Sequence, residues 1–100
     1  MKVEKILHLT LMKKWFDLIS SGDKKIEYGE IKPYWTKRLF NENGEPIKYD
    51  FVFFKNGYSK DCPKLKVEFK GVKEMILRED LNKWKKGMKI YGILLGKIIQ

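Results

Sequence analysis

The chain has 100 residues, 43% of them apolar, and its 22 lysines and arginines outnumber its 13 acidic residues, which leaves a formal charge of +9. This composition predicts one compact domain spanning residues 1–100, and a single cysteine and a single histidine exclude a disulfide framework and a His/Cys metal cluster, so neither a metal nor a cofactor is expected. The chain has neither a signal-peptide core nor the run of about 20 apolar residues that crosses a bilayer, which predicts a cytoplasmic protein without a membrane partner.

The first third of the chain predicts a strand, a helix and a second strand. Residues 5–11 are rich in isoleucine and leucine, which suits a first strand with one buried face. In residues 12–21 apolar side chains recur at helical spacing before a serine-rich stop, which indicates an amphipathic helix. Residues 25–31 follow as the second strand. Gly29 lies inside this strand, where glycine typically marks a bulge or a close approach of the backbone.

Residues 33–40 predict a second, short helix. Pro33 suits its first turn because the missing N–H has no intrahelical partner there. We expect Trp35 or Leu39 to point inward and Tyr34 to be partly exposed. Cations alternate with aromatic residues in this segment, a pattern that on an exposed surface would also stack bases and hold phosphates.

The remaining residues predict three more strands. Residues 49–55 are a dense block of β-forming residues and suit a central strand with both faces covered. Residues 64–75 show the clearest alternation of apolar and polar side chains. Residues 79–86 are expected to form a short helical turn, and residues 88–99 a last strand that closes a barrel against the first. The pattern predicts an α+β fold of about five strands with two or three short helices.

The segment SGDKKIEYGEIKPYW, residues 21–35, combines a glycine turn, charged groups and three aromatic residues. Gly22, Lys24 and Glu27 match three of the four positions of a Gly-x-Lys-x-x-Glu-x-Arg signature, and Gly29 stands where the signature has arginine. With the strand order around it, this segment resembles the ASCH family in its bacterial or phage form. The resemblance covers nearly the whole chain and implies a small, mostly antiparallel PUA-like β-barrel.

Lys24 and Glu27 are the centre of the predicted site. Residues three apart fall on opposite faces of a regular strand, so we place Lys24 in the preceding turn, from which its stem folds toward Glu27. The pair would then offer donors and acceptors to a nucleobase or a phosphate. The plainer alternative is a half-exposed salt bridge, worth about 0–1 kcal/mol.

The resemblance and the charge together predict binding of RNA or of a modified nucleoside or nucleotide. The signature would read the ligand, and the basic surface would add affinity that is independent of sequence. Basic composition by itself fits non-specific attraction or a need for solubility equally well. The predicted binding residues are Gly22, Lys24, Glu27, Lys32, Tyr34, Arg38, Asn56 and Tyr58.

Two other function classes remain open. Some ASCH members resemble amidohydrolases that act on an acetylated cytidine through the signature lysine, a hydroxyl residue and a distant carboxylate, and ribonuclease chemistry is ascribed to relatives. A metal-independent hydrolase of either kind would use Lys24 and Glu27 as catalytic residues, although Glu27 here takes the place of the hydroxyl residue. The third class is a protein-interaction module whose basic surface meets an acidic protein partner.

Two further positions carry expectations that bear on the site. Gly29 would either widen the pocket or be an altered position at which the arginine's function has been lost. His8 is expected to be a hydrogen-bonded structural residue, because a lone imidazole without a paired acid or thiol lacks a catalytic set.

Overall fold

Five strands form one curled, mixed sheet that makes a half-barrel, and two helices pack with it in an α+β arrangement. A computed structural model describes residues 3–81 and 84–99. The elements are β1 (Ile6–Thr10), α1 (Lys13–Ser20), β2 (Ile26–Glu30), α2 (Pro33–Leu39), β3 (Phe51–Lys55), β4 (Lys64–Ile76) and β5 (Lys89–Ile98). Each begins and ends within two residues of the bounds that the sequence predicts. Neither helix has the length or the apolar run that a bilayer crossing requires within these residues.

The strand order is β1-β3-β4-β5-β2, with β1 and β3 parallel and the other three pairs antiparallel. The prediction that the last strand closes a barrel against the first is wrong. β5 lies between β4 and β2, while β1 is paired along β3 from Ile6 to Thr10. The physical reason is that both edges of β5 are already paired: β4 lies antiparallel along one edge and β2 antiparallel along the other, so no edge of β5 is left for β1.

The hydrophobic core fills the concave side of the half-barrel. Alternate residues of the strands point into it, and α1 contributes Phe16 and Ile19 from its apolar face. β3 is internal in the sheet, as predicted, with Val52 and Phe54 fully buried and the side chains between them only partly covered. The buried cluster contains Leu7, Leu9, Phe16, Ile19, Leu39, Val52, Phe54, Leu65, Val67, Tyr91, Ile93 and Leu95.

Three polar contacts fix α2 against the sheet. The Thr36 hydroxyl lies 2.8 Å from the hydroxyl of Tyr91 on β5, and the Tyr49 hydroxyl donates to the Arg38 carbonyl at 2.5 Å. The Arg38 side chain in turn donates to the carbonyl oxygen of His8 on β1, at 3.1 Å. Leu39 points inward and Tyr34 is 56% exposed, as the sequence predicts. The helix is therefore held across the space between β1 and β5.

The described part of residues 79–86 does not contain the predicted helical turn. Leu81 and Trp84 form an isolated antiparallel bridge, in which each backbone N–H donates to the other's carbonyl at 2.8 and 2.9 Å. Residues 82 and 83 lie outside the described residues. The indole Nε1 of Trp84 donates to Glu30 Oε1 at 2.9 Å, and this contact brings the bridge against β2. A long-range side-chain contact therefore sets the position of a segment whose local pattern favours a helix.

Candidate ligand pocket in the seam of the half-barrel

The strand order places β1 and β2 at opposite edges of the curled sheet. We call the gap between these edges the seam. A cavity of about 290 Å³ lies in the seam, and residues from both edges line it. Its walls come from the end of β1, from α1, from β2 and from the start of α2. This seam pocket is lined by Thr10, Leu11, Met12, Trp15, Lys24, Glu27, Tyr28, Glu30, Lys32, Trp35, Leu81 and Trp84.

Lys24 and Glu27 meet in the seam pocket, as the sequence analysis anticipates. Lys24 precedes β2, and its backbone N–H donates to Leu18 at the end of α1, so its side chain is free of the strand's alternation. Its Nζ lies 2.5 Å from Glu27 Oε1. The two side chains are only 14% and 8% exposed, so the pair is buried rather than the half-exposed surface bridge of the plainer alternative.

Glu27 is the one buried polar or charged residue among residues 3–81 and 84–99. Its Oε1 accepts hydrogen bonds from Lys24 Nζ and from the backbone N–H of Tyr28, at 3.1 Å. Its Oε2 has no hydrogen-bond partner within the described chain. Every fully buried side-chain oxygen or nitrogen there does have a partner, so Oε2 must be reachable from solvent. The carboxylate thus presents one occupied and one open acceptor.

Aromatic rings surround the ion pair. Lys24 Nζ lies 4.7 Å from the centre of the Trp15 ring and 5.3 Å from that of Tyr28, both within the range of cation–π contacts. Trp35 and Trp84 add further ring surface to the same pocket. The pocket therefore combines flat apolar walls with a donor and an acceptor.

Gly29 packs against the indole ring of Trp35. A Cβ at this position would stand 2.7 Å from Trp35 Cδ2 and 3.0 Å from Cε2, closer than side-chain carbons pack. The space beside Gly29 is filled by this ring, so the glycine marks a close approach and does not widen the pocket. An arginine here would require Trp35 to move.

A second cavity, of about 260 Å³, adjoins the first, and we call it the side pocket. The two share Thr10, Leu11, Glu27 and Trp35 as a common wall. The remaining lining of the side pocket is His8, Leu9, Tyr34, Arg38 and Tyr58. The Arg38 guanidinium stacks 4.8 Å from the Tyr34 ring, and Tyr58 is 93% exposed. A cation and two accessible rings therefore lie next to the buried carboxylate.

The predicted site residues divide into three groups. Lys24, Glu27 and Lys32 line the seam pocket, whereas Tyr34, Arg38 and Tyr58 line the side pocket. Gly22 and Asn56 line neither.

Gly22 and Asn56 have positions that their local structure explains. Gly22 has a φ of +86° in the turn after α1, where glycine is favoured. The Asn56 amide donates to the Leu11 carbonyl at 3.1 Å and fixes the end of β1, which forms the common wall of both pockets.

Three aromatic residues of the seam pocket were not anticipated. Trp15, Tyr28 and Trp84 all line the pocket, although none of them is among the predicted site residues. Trp15 belongs to the apolar face of the predicted helix, and this pattern indicates that the face is covered but does not identify the residues that cover it. The prediction of a hydrogen-bonded structural imidazole at His8 is wrong. Its exposed ring packs edge-on against Phe53 at 5.6 Å and makes no hydrogen bond within the described residues, and only its backbone carbonyl accepts, from Arg38.

Comparison of the chain with protein-family models, with curated proteins and with solved structures finds no match in any of the three. No group of three or more histidine, cysteine, aspartate or glutamate residues within the described ranges is arranged to hold a metal ion.

Proposed function

We propose that this chain is a PUA-like domain of the ASCH type that binds RNA or a modified nucleotide, with a base held in the seam pocket. The observation that carries the proposal is the buried Lys24–Glu27 pair inside an aromatic-lined cavity. Burying a carboxylate costs free energy, so a buried carboxylate in a cavity points to a role beyond packing. A donor and an acceptor paired between flat rings suit a planar ligand with a hydrogen-bonding edge.

The size of the seam pocket favours a small ligand. Its volume of about 290 Å³ lies at the lower end of the roughly 300–1,000 Å³ that is usual for ligand sites. One base or nucleoside is a better match to this space than a larger cofactor. The rings of Trp15, Tyr28, Trp35 and Trp84 line the pocket. A base that stacks on the ring surface left uncovered by Lys24 and Gly29 would gain about 1–3 kcal/mol, the usual contribution in single-strand recognition.

The side pocket supports a polynucleotide over a free nucleoside. A base in the seam pocket would have its sugar and phosphate leave along the common wall, toward Arg38 and the exposed rings of Tyr34 and Tyr58. Arg38 keeps guanidinium donors beyond the one that it gives to the His8 carbonyl. The net charge of +9 adds long-range attraction for a polyanion.

The experiment is a titration at fixed salt with short single-stranded RNA and a panel of nucleosides that includes acetylated cytidine. The pocket variants are Glu27→Gln and the double substitution Lys24→Met with Glu27→Gln, which avoids leaving a buried charge unpaired. Lys14→Ala is the matched control, because Lys14 Nζ lies 4.9 Å from the same Trp15 ring but outside the pocket lining. Chromatography of each mixture separates binding from turnover.

For the ligands that the wild type binds best, we expect the pocket variants to weaken binding roughly 10- to 100-fold, the cost of losing a hydrogen bond to a buried charged group. Lys14→Ala should change the affinity by no more than about threefold, because it removes one exposed charge. Equal effects of pocket and control variants would show that surface charge alone attracts RNA. Product formation that depends on Lys24 and Glu27 would instead support the hydrolase hypothesis, and an acidic partner retained after nuclease treatment would support the interaction-module hypothesis.

A further inference from the structure

The open oxygen of Glu27 restricts which bases fit the seam pocket. Oε1 already accepts from Lys24 and from the Tyr28 backbone N–H, whereas Oε2 has no partner among residues 3–81 and 84–99. The residue as a whole is 94% covered, so only a group that enters one of the two pockets can reach this atom. We infer that Glu27 Oε2 accepts a hydrogen bond from an exocyclic amino group, so that the pocket selects amino-bearing bases over their oxo counterparts.

The chemistry of the acceptor dictates the preference. An ionised carboxylate oxygen can only accept a hydrogen bond, so a ligand that shields it from solvent must bring a donor in exchange. Adenine, cytosine and guanine carry such a donor in an exocyclic amino group, whereas the corresponding oxo groups of hypoxanthine and uracil present lone pairs toward the carboxylate. The donor of an oxo base is instead its adjacent ring N–H. An oxo base held in the same register would set two acceptors against each other at Oε2, and it could satisfy this atom only by shifting one position along its edge.

The ammonium of Lys24 argues against a cationic ligand. Its Nζ lies 2.5 Å from Oε1 and faces two aromatic rings, so the carboxylate charge is already compensated inside the pocket. A second cation at Oε2 would bring two positive charges together in a space with little solvent. A neutral amino group satisfies the acceptor without this cost.

The same hydrogen bonds predict how Glu27→Gln behaves. The amide of glutamine has one acceptor and one donor group, and Lys24 Nζ and the Tyr28 N–H both need an acceptor at the Oε1 position. The amide oxygen should therefore remain there, and the NH₂ group should take the place of Oε2. The substitution turns the open acceptor into a donor, so the preference should pass from amino to oxo bases.

This inference rests on the proposed function, and two matched ligand pairs test it separately. Adenosine and inosine, and likewise cytidine and uridine, differ at the exocyclic position and at the adjacent ring nitrogen. Dissociation constants for all four are measured by protein-observed NMR on the wild type and on Glu27→Gln, after a thermal melt shows that the variant is folded. We expect the wild type to prefer the amino member of each pair by about tenfold, and Glu27→Gln to abolish or reverse that preference.

Each outcome bears on the inference in a defined way. If all four nucleosides bind with equal affinity through Lys24 and Glu27, the proposed function stands and the amino-group selection is overturned. A preference for inosine and uridine in the wild type overturns it as well. If none of the four binds, both the selection and the seam pocket as a base site are refuted. Should Glu27→Gln fail to fold, the wild-type preference alone decides between these results.

Discussion

Replacing Gly29 by alanine would place a methyl group against the indole of Trp35. The added Cβ would stand 2.7 Å from Cδ2 and 3.1 Å from Cε3, whereas carbon atoms pack best at about 3.5–4.0 Å. Trp35 is a wall of both pockets, so a shift of its ring alters the site as well as the packing. Gly29→Ala should therefore reduce stability and ligand affinity together.

The expected size of the stability loss follows from two opposing effects. Overpacking a well-filled interior costs about 1–3 kcal/mol. Alanine also restricts the unfolded chain, which returns about 0.4–1 kcal/mol where the backbone is compatible, and Gly29 does not have the positive φ that would add strain. The net loss in the free energy of unfolding, measured by urea denaturation, should be about 1.3 kcal/mol at the midpoints of the two ranges and at most about 2.6 kcal/mol.

Gly96 provides the matched control for this substitution. A Cβ at Gly96 would also make close contacts. The two shortest, 2.6 Å to Lys70 Cε and 2.7 Å to Glu68 Oε1, are with the ends of flexible side chains, and the third is 3.0 Å to Glu68 Cβ. Gly96→Ala should therefore cost less than about 1 kcal/mol. In a Trp35→Leu background the penalty of Gly29→Ala should shrink, because the two positions are coupled. Two results would refute the close contact between Gly29 and Trp35: equal stability of Gly29→Ala and Gly96→Ala, or an unchanged stability loss from Gly29→Ala in the Trp35→Leu background.

Three further substitutions test one interaction of the pocket and two of the surrounding fold. Lys24→Met alone leaves a buried carboxylate unpaired and should lower the free energy of unfolding by about 3–5 kcal/mol. Adding Glu27→Gln removes that unpaired charge and should restore most of the lost stability. Similar stability of the single and the double variant would contradict a buried ion pair. Tyr49→Phe removes a hydroxyl that donates to the last turn of α2 and should cost about 0.5–1.5 kcal/mol at neutral pH. Burial raises the pKa of Tyr49. The stability that the neutral phenol contributes to the fold is therefore complete below the ordinary tyrosine pKa and is lost as pH rises through the raised pKa. Tyr49→Phe should lose less stability than the wild type in alkaline thermal melts. The hydrogen bond from the backbone N–H of Lys97 lowers the pKa of Glu68. The stability that this bond contributes is therefore present above the ordinary glutamate pKa and is lost as pH falls through the lowered pKa. Glu68→Gln should flatten the decrease in stability at acidic pH, and an unchanged decrease would count against the contact.

Most element bounds could be predicted because they depend on local periodicity. The alternation in β4 and the helical spacing in α1 are properties of neighbouring residues, and tertiary packing preserves them. The strand order could not be read in the same way. Pairing β1 with β3 and placing β5 between β4 and β2 depends on contacts between distant segments, and the apolar run of β5 only indicates that it is covered.

The candidate site was partly predictable for a similar reason. A spacing of three residues forces Lys24 out of the strand if it is to meet Glu27, and the structure shows this arrangement. The sequence marked Gly29 as a close approach but gave no indication that Trp35 was the partner. Trp84 reaches β2 through a contact with Glu30 that spans 54 residues of chain, and no local pattern identifies such a contact.

The most direct test of the central claim is a titration of ¹⁵N-labelled protein with short single-stranded RNA, followed by NMR at low and moderate salt. The backbone amide of Tyr28 reports on Glu27 Oε1, and the indole N–H groups of Trp35 and Trp84 report on the pocket walls. We predict saturable shifts at these groups that persist at moderate salt, while Gly44, in a turn outside both pockets, stays unchanged. Shifts spread over exposed lysine-rich segments that disappear with salt would contradict the seam pocket as the site of recognition.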